Sequence, residues 1–326
     1  MPTLQDVADR AGVTVTTVSR MLNGRVPVSP KTRKKIERAM LDLGYSPNQM
    51  ARALAKRSSN LVGLIVPSAR QYFFAELIQE VEAAVSRFGF QMLLCVSDQE
   101  LEKEQSYYQA LLGDRVRGII MASYSAEFDQ IAHSGAPMVY IERQSVGGIP
   151  CVLMDSLQGG RLAGEHLIGR GCRSLLYLSG NAAKNSVSNQ RFQGFREACE
   201  AEGLPAPVCF EATWEEFISL DYTSSVRRLF AEYPGVDGIF TSNDLMAASV
   251  VRYAWHHHIS IPDQLKVIGY DDTAFAQMCP LPLTTIHQPI ADIADYAMDL
   301  LNRLSAGEEV PETTVFPVRL VQRSTT

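Results

Sequence analysis

The sequence predicts a small all-α unit followed by an α/β body of two similar lobes with parallel sheets. Three observations predict it. The first 45 residues repeat apolar side chains at helical spacing between clear helix starts and stops. From Leu61 onward, short apolar runs of strand length alternate with helical stretches, the grammar of a parallel sheet covered on both sides. That alternation then restarts near Ser156, so two α/β sets follow one another. The chain has 326 residues, 46% hydrophobic, enough for two or three units.

Charge divides the chain in the same place. Through Asn60 there are eleven Lys and Arg against four acids, a net of +7. The remainder carries 19 cations against 32 acids, or −13. A cationic head on an anionic body predicts a polyanion partner for the head alone. No apolar run reaches membrane-span length, and no charged-then-apolar signal segment opens the chain, so a cytoplasmic protein without membrane contact is expected. The six cysteines are scattered with no C-x-x-C pair, which predicts reduced thiols rather than disulfides or zinc.

The stretch "TLQDVADRAGVTVTTVSRMLNG" carries two helices. Thr3 caps the first, with Asp6 favouring its positive end, and Leu4, Val7, Ala8 and Ala11 form its stripe. Gly12 permits a left-handed break. Thr14 caps the second helix, whose Val18, Met21 and Leu22 face inward while Val15, Thr16, Ser19 and Arg20 face outward. Asn23-Gly24 stops it. Ser29-Pro30 starts a third helix with Ile36, Met40 and Leu43 inward, ended by Gly44. Two short helices across a glycine turn, supported by a third, make a helix-turn-helix unit.

The motif "LQDVADRAGVTVTTVSRMLNG" and the later "YSPNQMARALA" resemble the headpiece and hinge of the lactose-repressor family of bacterial transcription regulators. The resemblance covers the whole chain. It implies a double-stranded operator DNA partner, read from the major groove by the second helix. Arg20 can present two parallel donors to guanine, Thr16 can bond a base edge, and Val15 can touch a thymine methyl. The family implies that these three read bases. Thr14, Thr17, Ser19 and Asn23 are then phosphate contacts that set register.

"SPNQMARALAKRSSN" (Ser46 to Asn60) reads as a Pro-started helix of about ten residues, below the ~12–15 that hold in isolation. The family implies that two such helices pair across a homodimer and enter the minor groove, where Leu54 wedges between base steps and Arg52 and Lys56 hold phosphates. The expected organisation is a headpiece at 1–45, a hinge at 46–60 and an effector-binding, dimerising core at 61–326.

In the body, "LVGLIVPS", "QMLLCVS", "GIIMAS" and "PMVYIE" read as strands, with helices at 73–88 and 100–112 and a short one before the last strand. The second set has strands "SLLYLSG", "VCFEA", "GIFTSN" and "LKVIGYD", and helices at 159–169, 190–202, 220–233 and 245–256. The resemblance implies a periplasmic-binding-protein-like core that crosses between lobes near Asp155, Ile286 and Val318. Its N-lobe would hold 61–155 and 287–318, its C-lobe 156–286 and 319–326, and the helix from Ile290 to Leu304 would return to the first.

Ligands of such sheets sit beyond the strand C-termini, so polar residues just past strands are candidates. Asp271 can accept two hydroxyl bonds, and Asn243 offers donor and acceptor. Arg191 opens a helix, an odd place for a cation that a ligand would explain. Trp214 can stack on a sugar face, and Tyr72 and Phe73 can close the other side. The family's pattern places effector contacts at Phe73, Arg191, Trp214, Asn243 and Asp271, with Asp155 and Gln288 near the crossings. Where many members have Asp-Asn, this chain has Asp155-Ser156, which alters the bonding behind the pocket.

There is no Gly-rich phosphate loop and no G-x-S-x-G nucleophile turn, so neither a cofactor nor an enzyme is expected. His256-His257-His258 splay around a helix and read as helix-end residues, not a metal site. Gly159-Gly160 reads as close packing. No leucine heptad follows "PVRLVQR", and a dimer matches a pseudo-palindromic site. The expected function is a repressor whose operator affinity is set allosterically by a small metabolite. "GYDDTAF" and "LTTIHQPIADIA" resemble ribose and sucrose regulators, which favours a sugar inducer over the alternatives: a purine-like corepressor on the same fold, or a sugar-binding transport protein.

Overall fold

A computed structural model describes residues 2–23, 28–45, 59–123, 135–144, 147–180 and 186–326, with the backbone alone for Asn23 and 186–188. The hinge candidates Arg52, Leu54 and Lys56, and the short helix expected before "PMVYIE", lie outside the described residues. The chain forms two compact units, Met1–Ser59 and Asn60–Thr326.

The first unit holds α1 (Leu4–Ala11), α2 (Val15–Asn23) and α3 (Pro30–Leu43). Thr3 and Asp6 form a reciprocal capping box, and Gly12 ends α1 at φ 65°. Thr14 Oγ1 accepts from Thr17 N at 3.2 Å, which caps α2. Ser29 caps α3 with Pro30 behind it. Val7, Ala8, Ala11, Val18, Ile36 and Ala39 are buried together. So small a core leaves each cap a sizeable share of the unit's stability, ~1 kcal/mol apiece.

The second unit contains two six-stranded sheets. The first runs β11-β5-β4-β3-β1-β2 from β1 (Leu61–Val66), β2 (Gln91–Val96), β3 (Ile119–Met121), β4 (Met138–Ile141), β5 (Cys151–Met154) and β11 (Thr313–Phe316), all parallel. The second runs β12-β10-β9-β8-β6-β7 from β6 (Leu175–Ser179), β7 (Val208–Glu211), β8 (Gly238–Thr241), β9 (Lys266–Asp271), β10 (Thr284–His287) and β12 (Arg319–Val321). Only β12 runs antiparallel, against β10. The chain therefore leaves the first sheet after Met154, the second after His287, and the first again after Phe316.

Helices α4 (Tyr72–Arg87), α5 (Leu101–Gly113) and α12 (Ile290–Ser305) pack in the first lobe, α12 against α4 and against β3, β4 and β5. The second lobe carries α6 (Ser156–Gly169), α7 (Ser186–Ala201), α8 (Trp214–Ser219), α9 (Thr223–Glu232), α10 (Asp244–His256) and α11 (Ala274–Met278). β1 and β9 are buried along almost their whole length, as strands covered on both faces must be.

Several boundaries differ from the sequence reading. Helix α6 starts at Ser156, not Gly159, because Asp155 caps it by accepting from Gln158 N at 2.9 Å. The helix expected over 220–233 covers only Thr223–Glu232, and a separate short helix, α8, precedes it without having been expected. Thr213 and Glu216 form a capping box that starts α8, and Leu220 ends it at φ 64°. β5, β10 and β11, of four residues, and β12, of three, were not expected; the last three carry Thr or Arg in place of a continuous apolar run. Gly159 and Gly160 of α6 do pack closely: a Cβ on Gly159 would lie 2.8 Å from Tyr270 Cε2 and one on Gly160 1.9 Å from Arg191 O, while one on Gly194 of α7 would lie 1.9 Å from Leu157 O. His257 ends α10, with its ring nitrogen 2.9 Å from Tyr253 O. All six cysteines are free. No helix among the described residues is long and apolar enough to cross a membrane.

Candidate functional site

Two regions collect the candidate residues. In the first unit, Thr16 and Arg20 stand exposed one turn apart on α2. Val15 corrects the outward reading: it is half-buried and packs on the headpiece core. Helix packing therefore competes with any DNA contact there. Thr14 and Thr17 share a hydroxyl–hydroxyl bond of 2.9 Å as part of the cap. Ser19 is half-buried beside Arg20.

In the body, β9 and β10 run parallel with Asp271 opposite His287, which places Gln288 beside the end of β9. Gln288 Nε2 donates to Asp271 Oδ1 at 2.6 Å. Asp271 sits at φ 115° and is buried. Burial pushes its carboxyl up to about 7, against the opposing pull of Arg191 and the Gln288 bond. Asp244 is buried close by, accepting from Thr285 Oγ1 at 2.5 Å and Thr273 N at 3.3 Å. Burial, then repulsion from Asp271, raise its carboxyl well above the usual range.

Arg191 is held on several sides. Its Nη1 donates to Ser242 O at 2.8 Å and its Nε to Ser156 Oγ at 3.4 Å. Its guanidinium lies over the Tyr270 ring, 3.6 Å from the centroid. Its Nη2 is 3.7 Å from Glu142 Oε2, on the first lobe just beyond β4. Burial opposes its charge, but Tyr270, Asp271, Tyr177 and Glu142 outweigh that and keep it protonated. Glu142 also accepts from Met154 N at 2.7 Å, and burial pushes its carboxyl up despite Arg191.

Tyr72, Phe73, Tyr222, Asn243, Asp244 and Asp271 line one pocket of about 30 Å³. Tyr72 of the first lobe stacks on Phe275 of the second, with centroids 4.4 Å apart. Asn243 caps α10 by accepting from Met246 N at 2.9 Å, with the Tyr222 hydroxyl beside its side chain. The fold thus gathers Tyr72, Phe73, Asn243 and Asp271, with Gln288 bonded to the last and Arg191 in electrostatic reach of it. Two candidates stand apart from this pocket: Asp155 caps α6, and Trp214 starts α8 stacked on Phe217 at 5.4 Å.

Sequence reasoning missed Glu142, Asp244 and Phe275, whereas Ser156, expected to alter the bonding behind the pocket, does bond Arg191 Nε. Glu142 closes the strand run "PMVYIE", so the rule that picked Asp271 would also have picked it. Phe275 carried no local signal, since its role comes from the facing lobe.

Known proteins match this architecture in both parts. The description "Bacterial regulatory proteins, lacI family" fits residues 3–48, and "Periplasmic binding protein-like domain" fits residues 165–326. The sucrose operon repressor of Streptococcus mutans is 35% identical over 98% of this chain and 97% of its own. The ribose operon repressor of Bacillus subtilis is also 35% identical, over 100% and 99%. The chain belongs to the LacI family. A solved lac repressor dimer, bound to operator and the anti-inducer ONPF, superposes on this LacI-family chain with a TM-score of 0.87. It is 27% identical, over 99% of this chain and 98% of its own. The LacI family consists of transcription regulators rather than enzymes, and the residues gathered here are acceptors, amides and aromatic faces around one arginine.

Proposed function

We propose that this chain is a cytoplasmic, homodimeric transcriptional repressor whose affinity for a pseudo-palindromic operator is set by a sugar bound between its lobes. The carrying observation is that one pocket takes Tyr72 and Phe73 from the first lobe and Asn243 and Asp271 from the second. A ligand touching both walls has different contacts whenever the lobes move, and that difference is what lets it shift an equilibrium. Two relatives of similar length are named as sucrose and ribose operon repressors, which favours a sugar. At about 30 Å³ the pocket is far below the ~300 Å³ where ligand sites begin, so binding requires the lobes to part.

In this reading Thr16 and Arg20 read base edges, with Val15 at the margin of the helix. Thr14, Thr17, Ser19 and Asn23 hold phosphates. Leu54, Arg52 and Lys56 complete the grip from the hinge, while Trp214 and Asp155 join the ligand only in the parted form. The test is a titration of operator-bound, full-length protein with ribose, fructose, sucrose and purines. A sugar that releases DNA supports the reading. A purine that tightens DNA binding replaces it with a corepressor. Linkage adds a second check: operator must weaken sugar binding by the same factor that sugar weakens operator binding.

A further inference from the structure

We propose that the cleft accepts uncharged sugars and rejects phosphorylated or carboxylated ones, and that Glu142 sets this selectivity by occupying Arg191. The inference rests on the sugar reading above and adds to it the charge class of the ligand and a residue that determines it.

An anionic sugar is recognised by a cation able to offer parallel donors. Among the described residues, Arg191 is the cation that reaches Asp271 electrostatically, and its fork is already engaged: Ser242 O at 2.8 Å, Ser156 Oγ at 3.4 Å, Glu142 at 3.7 Å, and the Tyr270 ring beneath it. A phosphate could take the guanidinium only by displacing Glu142, and that would leave a buried carboxylate facing a second anion. The remaining charged groups add to this. Asp244 and Asp271 line the pocket. Glu76 of α4 reaches across to accept from Ala274 N, and the Asp272 charge disfavours its own. Asp272 is itself held by Arg323 at 2.5 Å and His287 at 2.9 Å, so neither side chain is free for a ligand.

A pocket walled by carboxylates is a set of acceptors. Sugar hydroxyls donate to acceptors without adding charge, and the aromatic walls of Tyr72 and Phe73 suit C–H faces. A like charge brought within ~4–6 Å of several carboxylates is disfavoured by each of them.

The experiment is isothermal calorimetry on the full-length protein at pH 8, where the acids are most ionised. The probes are matched pairs: ribose and ribose 5-phosphate, fructose and fructose 6-phosphate, sucrose and sucrose 6-phosphate, glucose and glucuronate. The expected result is a neutral member that binds at least 100-fold more tightly than its anionic partner. Glu142→Gln should shrink that preference at least tenfold. The glutamine oxygen still accepts from Met154 N, and an unchanged thermal midpoint without ligand reports an intact fold. Asp271→Asn, which removes the acid of the opposite wall, should shrink the preference in the same direction and serves as the test if the first variant does not fold. Equal or tighter binding of an anionic member overturns the charge inference and leaves the sugar reading standing. No binding by any member of any pair overturns both. An unaltered preference in Glu142→Gln removes Glu142 from its assigned role.

Discussion

Arg191 of the second lobe and Glu142 of the first approach to 3.7 Å, each side chain only 11% exposed. The pair is buried and joins the two lobes. Such a pair adds little net stability over apolar packing, but removing one partner leaves the other as an uncompensated buried charge. Arg191→Ala strands Glu142 and leaves Ser242 O without its donor. We expect it to lower stability by about 3 kcal/mol, read as a reduced urea midpoint at constant slope. A loss below about 1 kcal/mol would mean that water already screens the pair.

The arginine's position depends on a glycine of the preceding helix. Helices α6 and α7 approach so closely that a Cβ at Gly160 would lie 1.9 Å from Arg191 O and 2.8 Å from Phe195 N. Both are backbone atoms and cannot rotate aside. Gly160→Ala should therefore push α7 outward, at about 1–3 kcal/mol for overpacking, and carry Arg191 with it. Sugar affinity should fall even where the protein remains folded. Gly169→Ala, where an added Cβ meets nothing within 4 Å, is the control and should leave both measurements near wild type.

The contrast between these residues shows what the sequence could reveal. Capping, glycine stops and apolar stripes are local, so α1 to α3 were legible to within a residue or two from Thr3, Gly12, Thr14 and Ser29. The polar residue after a strand is also a local sign, and it found Asp271 and Asn243. Glu142 and Phe275 were not legible because their meaning arises only when the second lobe faces the first. Arg191 was noticed for the wrong reason. It was read as an anomaly at a helix start, yet α7 begins at Ser186, and what holds Arg191 is Tyr270, Ser156 and Glu142. Trp214 was chosen for its ring, but a capping box beside it sets its direction along α8.

Stability should depend on pH through Asp271. Its carboxyl titrates near 7 when folded and near ~3.9 when unfolded. The folded state then holds more protons across that interval, so this group's contribution falls as pH rises from about 4 to about 7 and is lowest above it. Asp244 is shifted in the same direction and shares the effect. Asp271→Asn removes the ionisation while keeping an oxygen for Gln288, and asparagine tolerates the positive φ. The variant should be more stable than wild type at pH 8, by on the order of 1–3 kcal/mol, and equal to it near pH 4. Its DNA release by sugar should nonetheless be weakened, requiring more sugar than the wild type. Thermal midpoints across pH 4–8 check the first part and the operator titration the second. Parallel pH profiles for the two proteins would show that Asp271 ionises normally.

Arg20 and Thr16 stand exposed one turn apart on a helix whose other face is buried in the headpiece core, so their loss should leave folding unharmed and act on DNA alone. A guanidinium bidentate to guanine contributes about 1–3 kcal/mol of discrimination. Arg20→Ala should weaken the cognate site by that amount, or roughly five- to 150-fold, and relax the preference at one base position. Its effect on a random duplex should be smaller, and the salt dependence should keep nearly the wild-type slope, since base contacts release few counterions. Lys31→Ala on α3 offers a comparison within the same unit, because a lysine off the reading helix α2 is expected to act through phosphate and to alter affinity equally for all sequences. If Arg20→Ala instead weakens cognate and random duplex by the same factor and lowers the salt slope by about one, Arg20 is a phosphate contact, and Thr16 with its neighbours must carry the reading of sequence.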